Sequence, residues 1–253
     1  MDNICWICSM SVHANTDLLT WESDFFGRRL GRVAFDDAAP CLTSGGLTAF
    51  ALVQAKVAAQ ATAQMDALSA LGFRPVEGEI DCCYTLPASS GGAPVAALPA
   101  AEMRVAEASD IPALRALAAQ TLTLSRFRPP WFSDEERQRF YAQWVENAVR
   151  GSFDHLCLVA DGPTGLEGLV TLRDIGEQTA RIGLLAVSYA ARGRGTGKLL
   201  CRAALGWCRS RGFSQLRVAT QTANLPALRL YLASGAQIVH AAHWLYRGPH
   251  DSI

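Results

Sequence analysis

The stretch of this 253-residue chain best equipped for chemistry is Val187-Ser-Tyr-Ala-Ala-Arg-Gly-Arg-Gly-Thr-Gly-Lys-Leu-Leu200. Gly193, Gly195 and Gly197 alternate there with Arg192, Arg194, Thr196 and Lys198. Glycines let the backbone turn tightly and bring several amide N–H groups towards one ligand. The apolar run before the loop predicts a strand over 180–187, and the run after it predicts a helix over 196–211. The positive end of that helix favours a phosphate, and Arg192, Arg194, Lys198 and Arg202 add charge beside it. Two nucleotide motifs are excluded. A Walker A loop has Gly five residues before its Gly-Lys pair and a hydroxyl residue after it, where Arg192 and Leu199 stand. The dinucleotide fingerprint has Gly-x-Gly-x-x-Gly, whereas these glycines alternate throughout. An ordinary glycine-rich turn is the plain alternative.

A second group lies downstream. Asn224, Ala227, Tyr231 and Gly235 fall on a helix predicted over 224–234 and on its glycine stop. Asn224 can cap that helix. A phenol with a pKa near 10 is protonated at neutral pH and can hand its proton to a leaving group. Periodicity alone makes Tyr231 a core aromatic.

Those groups need a scaffold. The chain reads as mixed α/β, with a sheet covered by helices. Strands are expected over 51–57, 76–86, 103–106, 156–160, 166–173, 180–187, 214–220 and 238–246. Further helices are expected over 60–71, from Asp110 as cap through Ile111, Leu114 and Leu117, and through Tyr141 to Val149. The Pro/Gly/Ser-rich stretch 87–101 reads as a linker between a small α/β domain (19–86) and a larger one (102–253). Residues 1–18 read as an amino-terminal extension. Both domains end in helix, glycine stop and β-rich run. The first is therefore either a truncated copy of the second or an unrelated helix–strand unit.

Composition bounds the function. Lys and Arg number 23, as do Asp and Glu, so no global field attracts nucleic acid or an anionic membrane. No run is long and apolar enough to span a bilayer, and a basic leader is absent at the start. A soluble cytoplasmic protein is expected. The eight cysteines read as reduced thiols. Cys5 and Cys8 form a lone Cys-x-x-Cys without the second pair that a zinc site needs. His240 and His243 fall on opposite faces of a strand, so no metal is expected. The sequence is compatible with a homodimer and leaves the oligomeric state open.

The run Arg192 to Gly197, with Asn224, Ala227, Tyr231 and Gly235 at their spacings, resembles the cofactor site of the GNAT N-acetyltransferase superfamily. That resemblance implies a mixed, mostly antiparallel sheet flanked by helices, preceded here by the smaller α/β domain. It implies acetyl-CoA as co-substrate and no metal. Arg192, Gly193, Arg194, Gly195, Thr196, Gly197 and Asn224 would then hold the cofactor. Main-chain groups of Leu184 to Val187, including Leu185 and Val187, would hold the thioester arm, and Tyr231 would be the general acid. Longer strings, among them Leu19-Thr-Trp-Glu22, Ser125-Arg-Phe-Arg128, Phe140 to Arg150 and Trp244-Leu-Tyr-Arg247, resemble bacterial nucleotide-sugar acetyltransferases of enterobacterial common antigen synthesis. They imply acetylation of the 4-amino group of dTDP-4-amino-4,6-dideoxy-D-galactose, with Arg126 and Arg128 on its diphosphate. Another small amine or protein lysine as acceptor, or a non-catalytic acetyl-CoA-binding module, are the alternatives. The base that deprotonates the amine is not visible; Glu146 and His155 are candidates, each with a structural role as the plainer reading.

Overall fold

The computed structural model describes residues 11–87, 103–163 and 165–248. In chain order the elements are β1 (Ala14–Leu18), α1 (Thr20–Phe26), β2 (Leu30–Phe35), α2 (Ser44–Leu47), β3 (Leu52–Ala58), α3 (Thr62–Ala70) and β4 (Arg74–Thr85). They continue with β5 (Met103–Val105), α4 (Ile111–Thr121), α5 (Asp134–Val149), β6 (Leu156–Gly162), β7 (Gly165–Asp174) and β8 (Thr179–Val187). The last are α6 (Thr196–Ser210), β9 (Gln215–Gln221), α7 (Leu225–Ala233) and β10 (Gln237–Arg247). The strands and helices anticipated from periodicity correspond to β3–β10 and α3–α7; β1, α1, β2 and α2 were not anticipated.

The chain forms two compact units. The first takes residues 1–79, 129–131 and 241–253; the second takes 80–128 and 132–240. This differs from a division at the 87–101 stretch, which apart from Pro87 lies outside the described residues, as do Cys5 and Cys8. Ala14–Leu18, read as extension, pairs with β2 as a strand, and Ala14 is buried in the first unit's core. Strands β4 and β10 run 12 and 11 residues, and each gives residues to both units. Linker composition cannot mark such a boundary, because it falls within regular strand.

In the first unit β2 pairs antiparallel with β1 and parallel with β3, and β3 pairs antiparallel with the end of β10. Val33, Val53, Ala55, Val57, Leu68 and Leu245 are among its core. Trp244 donates to Glu79 at 2.9 Å, and Lys56 pairs with the same carboxylate.

The second unit carries the glycine-rich loop. Its strand order is β4-β9-β8-β7-β6-β5. The pairs β5–β6, β6–β7 and β7–β8 are antiparallel, and β8–β9 is parallel. One face packs Ile182, Leu216 and Val218 beneath Leu200, Cys201 and Ala204 of α6 and Tyr231 of α7. Helices α4 and α5 pack on β6, β7 and β8. Helix α5 begins with a reciprocal cap, Ser133 Oγ accepting from Glu136 N at 3.1 Å and Glu136 Oε2 accepting from Ser133 N at 2.7 Å. Asp110 behaves differently from expectation. Its carboxylate accepts from Glu107 N and from Arg104 rather than from the first turn of α4, and Pro112 occupies that turn. The Arg104 guanidinium holds the Asp110 carboxyl below the usual carboxylate range.

Candidate active site

The central feature is a parting of strands. Strands β8 and β9 pair only from Thr179↔Gln215 to Ile182↔Val218, although β8 continues to Val187. Beyond Ile182 the edge of β8 facing β9 has no ladder partner on that side among the described residues. The cause lies on the opposite edge. The β7–β8 register shifts between Val170 and Leu172, so that Gly183 and Leu184 together face Thr171. Such a bulge bends the strand that carries the extra residue. Thr171 Oγ1 accepts from Leu184 N at 2.8 Å, which replaces the lost ladder bond. Glycine is needed at 183 in this bulge, because a Cβ there would collide with the Asp154 carboxylate and the Thr171 hydroxyl.

The loop begins where β8 ends. Gly193 and Gly195 have φ of +75° and +95°, conformations that L side chains rarely adopt, and a Cβ on either would meet nothing within 4 Å. Gly195 is the residue before α6 and supplies no side-chain cap. The first N–H groups of α6 are therefore left for a ligand. Arg192, Arg194 and Lys198 are exposed around it, with the Arg192 guanidinium 4.1 Å from the centre of the Tyr189 ring. Two loop residues serve packing as well. Thr196 Oγ1 donates to Glu167 at 3.2 Å. A Cβ on Gly197 would press on Leu230 of α7 at 3.1 Å, so glycine lets α6 and α7 approach closely. The open loop, the uncapped helix start and the unpaired strand edge fit a pyrophosphate and its amide-bearing arm.

Asn224 is occupied by its own helix. Its Oδ1 accepts from Ala227 N at 3.3 Å, and its Nδ2 donates to Thr220 Oγ1 at 3.1 Å. One amide hydrogen is left for a further contact. Tyr231 is 4% exposed and lies in the core cluster with Tyr84 and Cys201. Burial pushes its phenol above the ordinary value of about 10. A raised pKa keeps the proton on, so the group remains an acid, and it ionises only as pH climbs past the folded-state value. The turnover profile is thus expected to show no falling limb attributable to Tyr231 below about pH 10; a limb near pH 8 that Tyr231→Phe abolishes would contradict this.

Tyr84 escaped sequence reasoning, since a single tyrosine on a strand carries no spacing signal. Its hydroxyl is buried without a partner in hydrogen-bonding geometry among the described residues. The Cys201 thiol and Tyr231 are close enough to act on it, and burial chiefly drives its pKa upward. The two candidate bases are engaged elsewhere. Glu146 pairs with Arg150 and Arg115, which hold its carboxyl low. His155 Nδ1 accepts from Asp174 N at 2.9 Å.

Arg126 and Arg128 sit between α4 and α5. Ser125 Oγ meets Tyr141 Oη at 2.8 Å and accepts from Phe127 N at 3.0 Å. The Phe127 ring packs on Phe132 and Phe140. Ser125 and Phe127 thus anchor the segment, leaving the alternate residues Arg126 and Arg128 half-buried. Among the described residues no cluster of His, Cys, Asp and Glu could hold a metal ion.

The acetyltransferase (GNAT) family model matches residues 117–236. The chain belongs to this family and is an acetyl-CoA-dependent N-acetyltransferase. It is 46% identical over 239 residues to the dTDP-fucosamine acetyltransferase of Escherichia coli O6:H1, a match that covers 94% of this chain and all of that relative. Two solved structures share the fold. A GCN5-related N-acetyltransferase from Sphaerobacter thermophilus gives a TM-score of 0.56 at 19% identity, over 80% of this chain and 61% of that one. A tandem GNAT protein from the clavulanic acid biosynthesis pathway gives 0.58 at 15% identity, over 88% and 76%.

Proposed function

We propose that the acceptor is the 4-amino group of dTDP-4-amino-4,6-dideoxy-D-galactose, acetylated for enterobacterial common antigen synthesis. The observation that carries this reading is the extent of the match to the Escherichia coli enzyme, which spans the acceptor-side segments as well as the cofactor loop. When bound, acetyl-CoA supplies an activated thioester. The loop Arg192 to Gly197 holds the pyrophosphate through main-chain N–H groups and nearby charge. The unpaired edge of β8, at Leu185 and Val187, holds the arm and steadies developing charge on the carbonyl oxygen. Asn224 fixes the start of α7 and with it the position of Tyr231. The sugar amine, as the neutral base, forms the new C–N bond as the C–S bond breaks; Tyr231 gives its proton to the departing sulfur, and the proton released from the amine nitrogen restores the phenol. Arg126 and Arg128 lie on the acceptor side.

We place the enzyme in the cytoplasm. Cys41, Cys82, Cys83, Cys157, Cys201 and Cys208 are all free thiols, as a reducing compartment keeps them. No described helix is long and apolar enough to cross a membrane. The test is release of free thiol from acetyl-CoA across a panel of amines. The dTDP-amino sugar should be turned over at least a hundred times more efficiently than polyamines or lysine peptides. Equal or better use of a lysine peptide would overturn the reading.

A further inference from the structure

Three arginines stand side by side across the sheet of the second unit. Arg173 of β7 is directly opposite Arg181 of β8, and Arg181 is in register with Arg217 of β9. Directly paired residues share a face, and like charges placed so destabilise a sheet. The Arg181 charge indeed acts on Arg173, whose pKa is lowered first by burial and further by that repulsion. A row of this kind is costly unless an anion lies along it.

The protein's own carboxylates leave the row short of negative charge. Asp154 lies 3.5 Å from Arg173 and Asp81 lies 3.6 Å from Arg181. Both contacts are longer than the ~2.7–2.9 Å of a good charged hydrogen bond. Asp154 is fully buried and also accepts from Trp144 Nε1 at 2.9 Å. Arg217 has no carboxylate partner among the described residues, and its Nε is buried without a hydrogen bond. Three cations thus face two acids, with most of their fork-shaped donors unspent. The Arg173 and Arg181 side chains are 23% and 24% exposed, within reach of a ligand.

We propose that Arg173, Arg181 and Arg217 bind the diphosphate of the nucleotide-linked acceptor. This rests on the nucleotide-sugar reading above and assigns that substrate's anionic part to residues outside the Arg126–Arg128 segment. The placement along β8 suits it. The cofactor loop follows the carboxyl end of the strand, the row crosses near its amino end, and the unpaired edge lies between. Arg181 and Leu185 are four residues apart, about 13 Å along a strand. In the acceptor, the diphosphate at C1 and the amine at C4 stand at opposite ends of one sugar ring.

Arg217 is the cleanest probe, since removing it strands no carboxylate. The experiment titrates dTDP, thymidine and inorganic pyrophosphate into the CoA-saturated enzyme, so that the glycine-rich loop is already filled. The wild type should bind dTDP and pyrophosphate but thymidine far more weakly. Arg217→Met should weaken dTDP and pyrophosphate at least tenfold, with Tm equal or higher because repulsion is relieved. Arg217→Lys should fall between. Unchanged dTDP affinity in Arg217→Met, or no dTDP binding by the wild type, would overturn the row. Amino-sugar turnover on the same preparations separates the two readings. Arg217-dependent dTDP binding without acetylation of the dTDP-amino sugar would keep the row and remove the proposed acceptor. Normal acetylation with Arg217-independent binding would do the reverse.

Discussion

Tyr231→Phe is expected to lower the single-turnover rate of acetyl transfer by at least about a hundredfold, the lower end of what general-acid help supplies. At 1.36 kcal/mol per tenfold this is about 3 kcal/mol of barrier. The substitution removes one hydroxyl and keeps the ring, so the packing of Tyr231 beside Cys201 and Tyr84 is retained. Affinities for acetyl-CoA and acceptor should therefore change little. Single-turnover kinetics at saturating substrates separates chemistry from binding. A fall of less than about threefold would be too small for loss of a general acid, and Tyr231 would then be a core aromatic. The buried hydroxyl of Tyr84 is the neighbouring phenol, so the double variant reports whether it substitutes.

Gly195→Val is expected to weaken acetyl-CoA about 10–100-fold, the worth of one lost charged hydrogen bond. The glycine has φ +95°, and a Cβ there meets no protein atom. The new side chain therefore projects into the open space before the uncapped start of α6, where a pyrophosphate would approach the main chain. Backbone strain costs about 1–3 kcal/mol, visible as a lower Tm and separable from binding by calorimetry on the folded variant. An unchanged dissociation constant would remove the loop from the cofactor site. Gly197→Ala offers a contrast, because its Cβ would meet Leu230 of α7. It should disturb the packing of α6 on α7 more than it disturbs phosphate approach.

Much of the second unit was legible because its signals are local. A strand, a loop with alternating glycines and an amphipathic helix lie consecutively over 180–211, and hydrophobic periodicity reports each. Asn224, Tyr231 and Gly235 sit on one short helix and its stop, so spacing alone relates them. The first unit was less legible. Strand β1 and helix α1 are short, and residues such as Trp21 and Leu18 remain exposed, which blurs the apolar pattern. The two compact units divide within β4 and β10, which run through the boundary as regular strand and so give it no compositional signal.

The amino-acid sequence by itself carried the local signals: a glycine-rich, arginine-bearing loop between a strand and a helix, a tyrosine at a set spacing from Asn224 and Gly235, and a net charge of zero that supplies no global field for a polyanion. Tertiary structure alone decided how these meet. The parting of β8 from β9 accompanies a bulge at Gly183 and Leu184, where Asp154 and Thr171 come close from parts of the chain distant in sequence. Burial of Tyr231 in one cluster with Tyr84 and Cys201 depends on β4, α6 and α7 closing one core. The arginine row exists only as cross-strand register, since Arg173, Arg181 and Arg217 carry no common motif along the chain. Spacing along a chain encodes what one element presents; which side chains share a face across three strands is set by hydrogen-bonded register, and register is a property of the folded sheet.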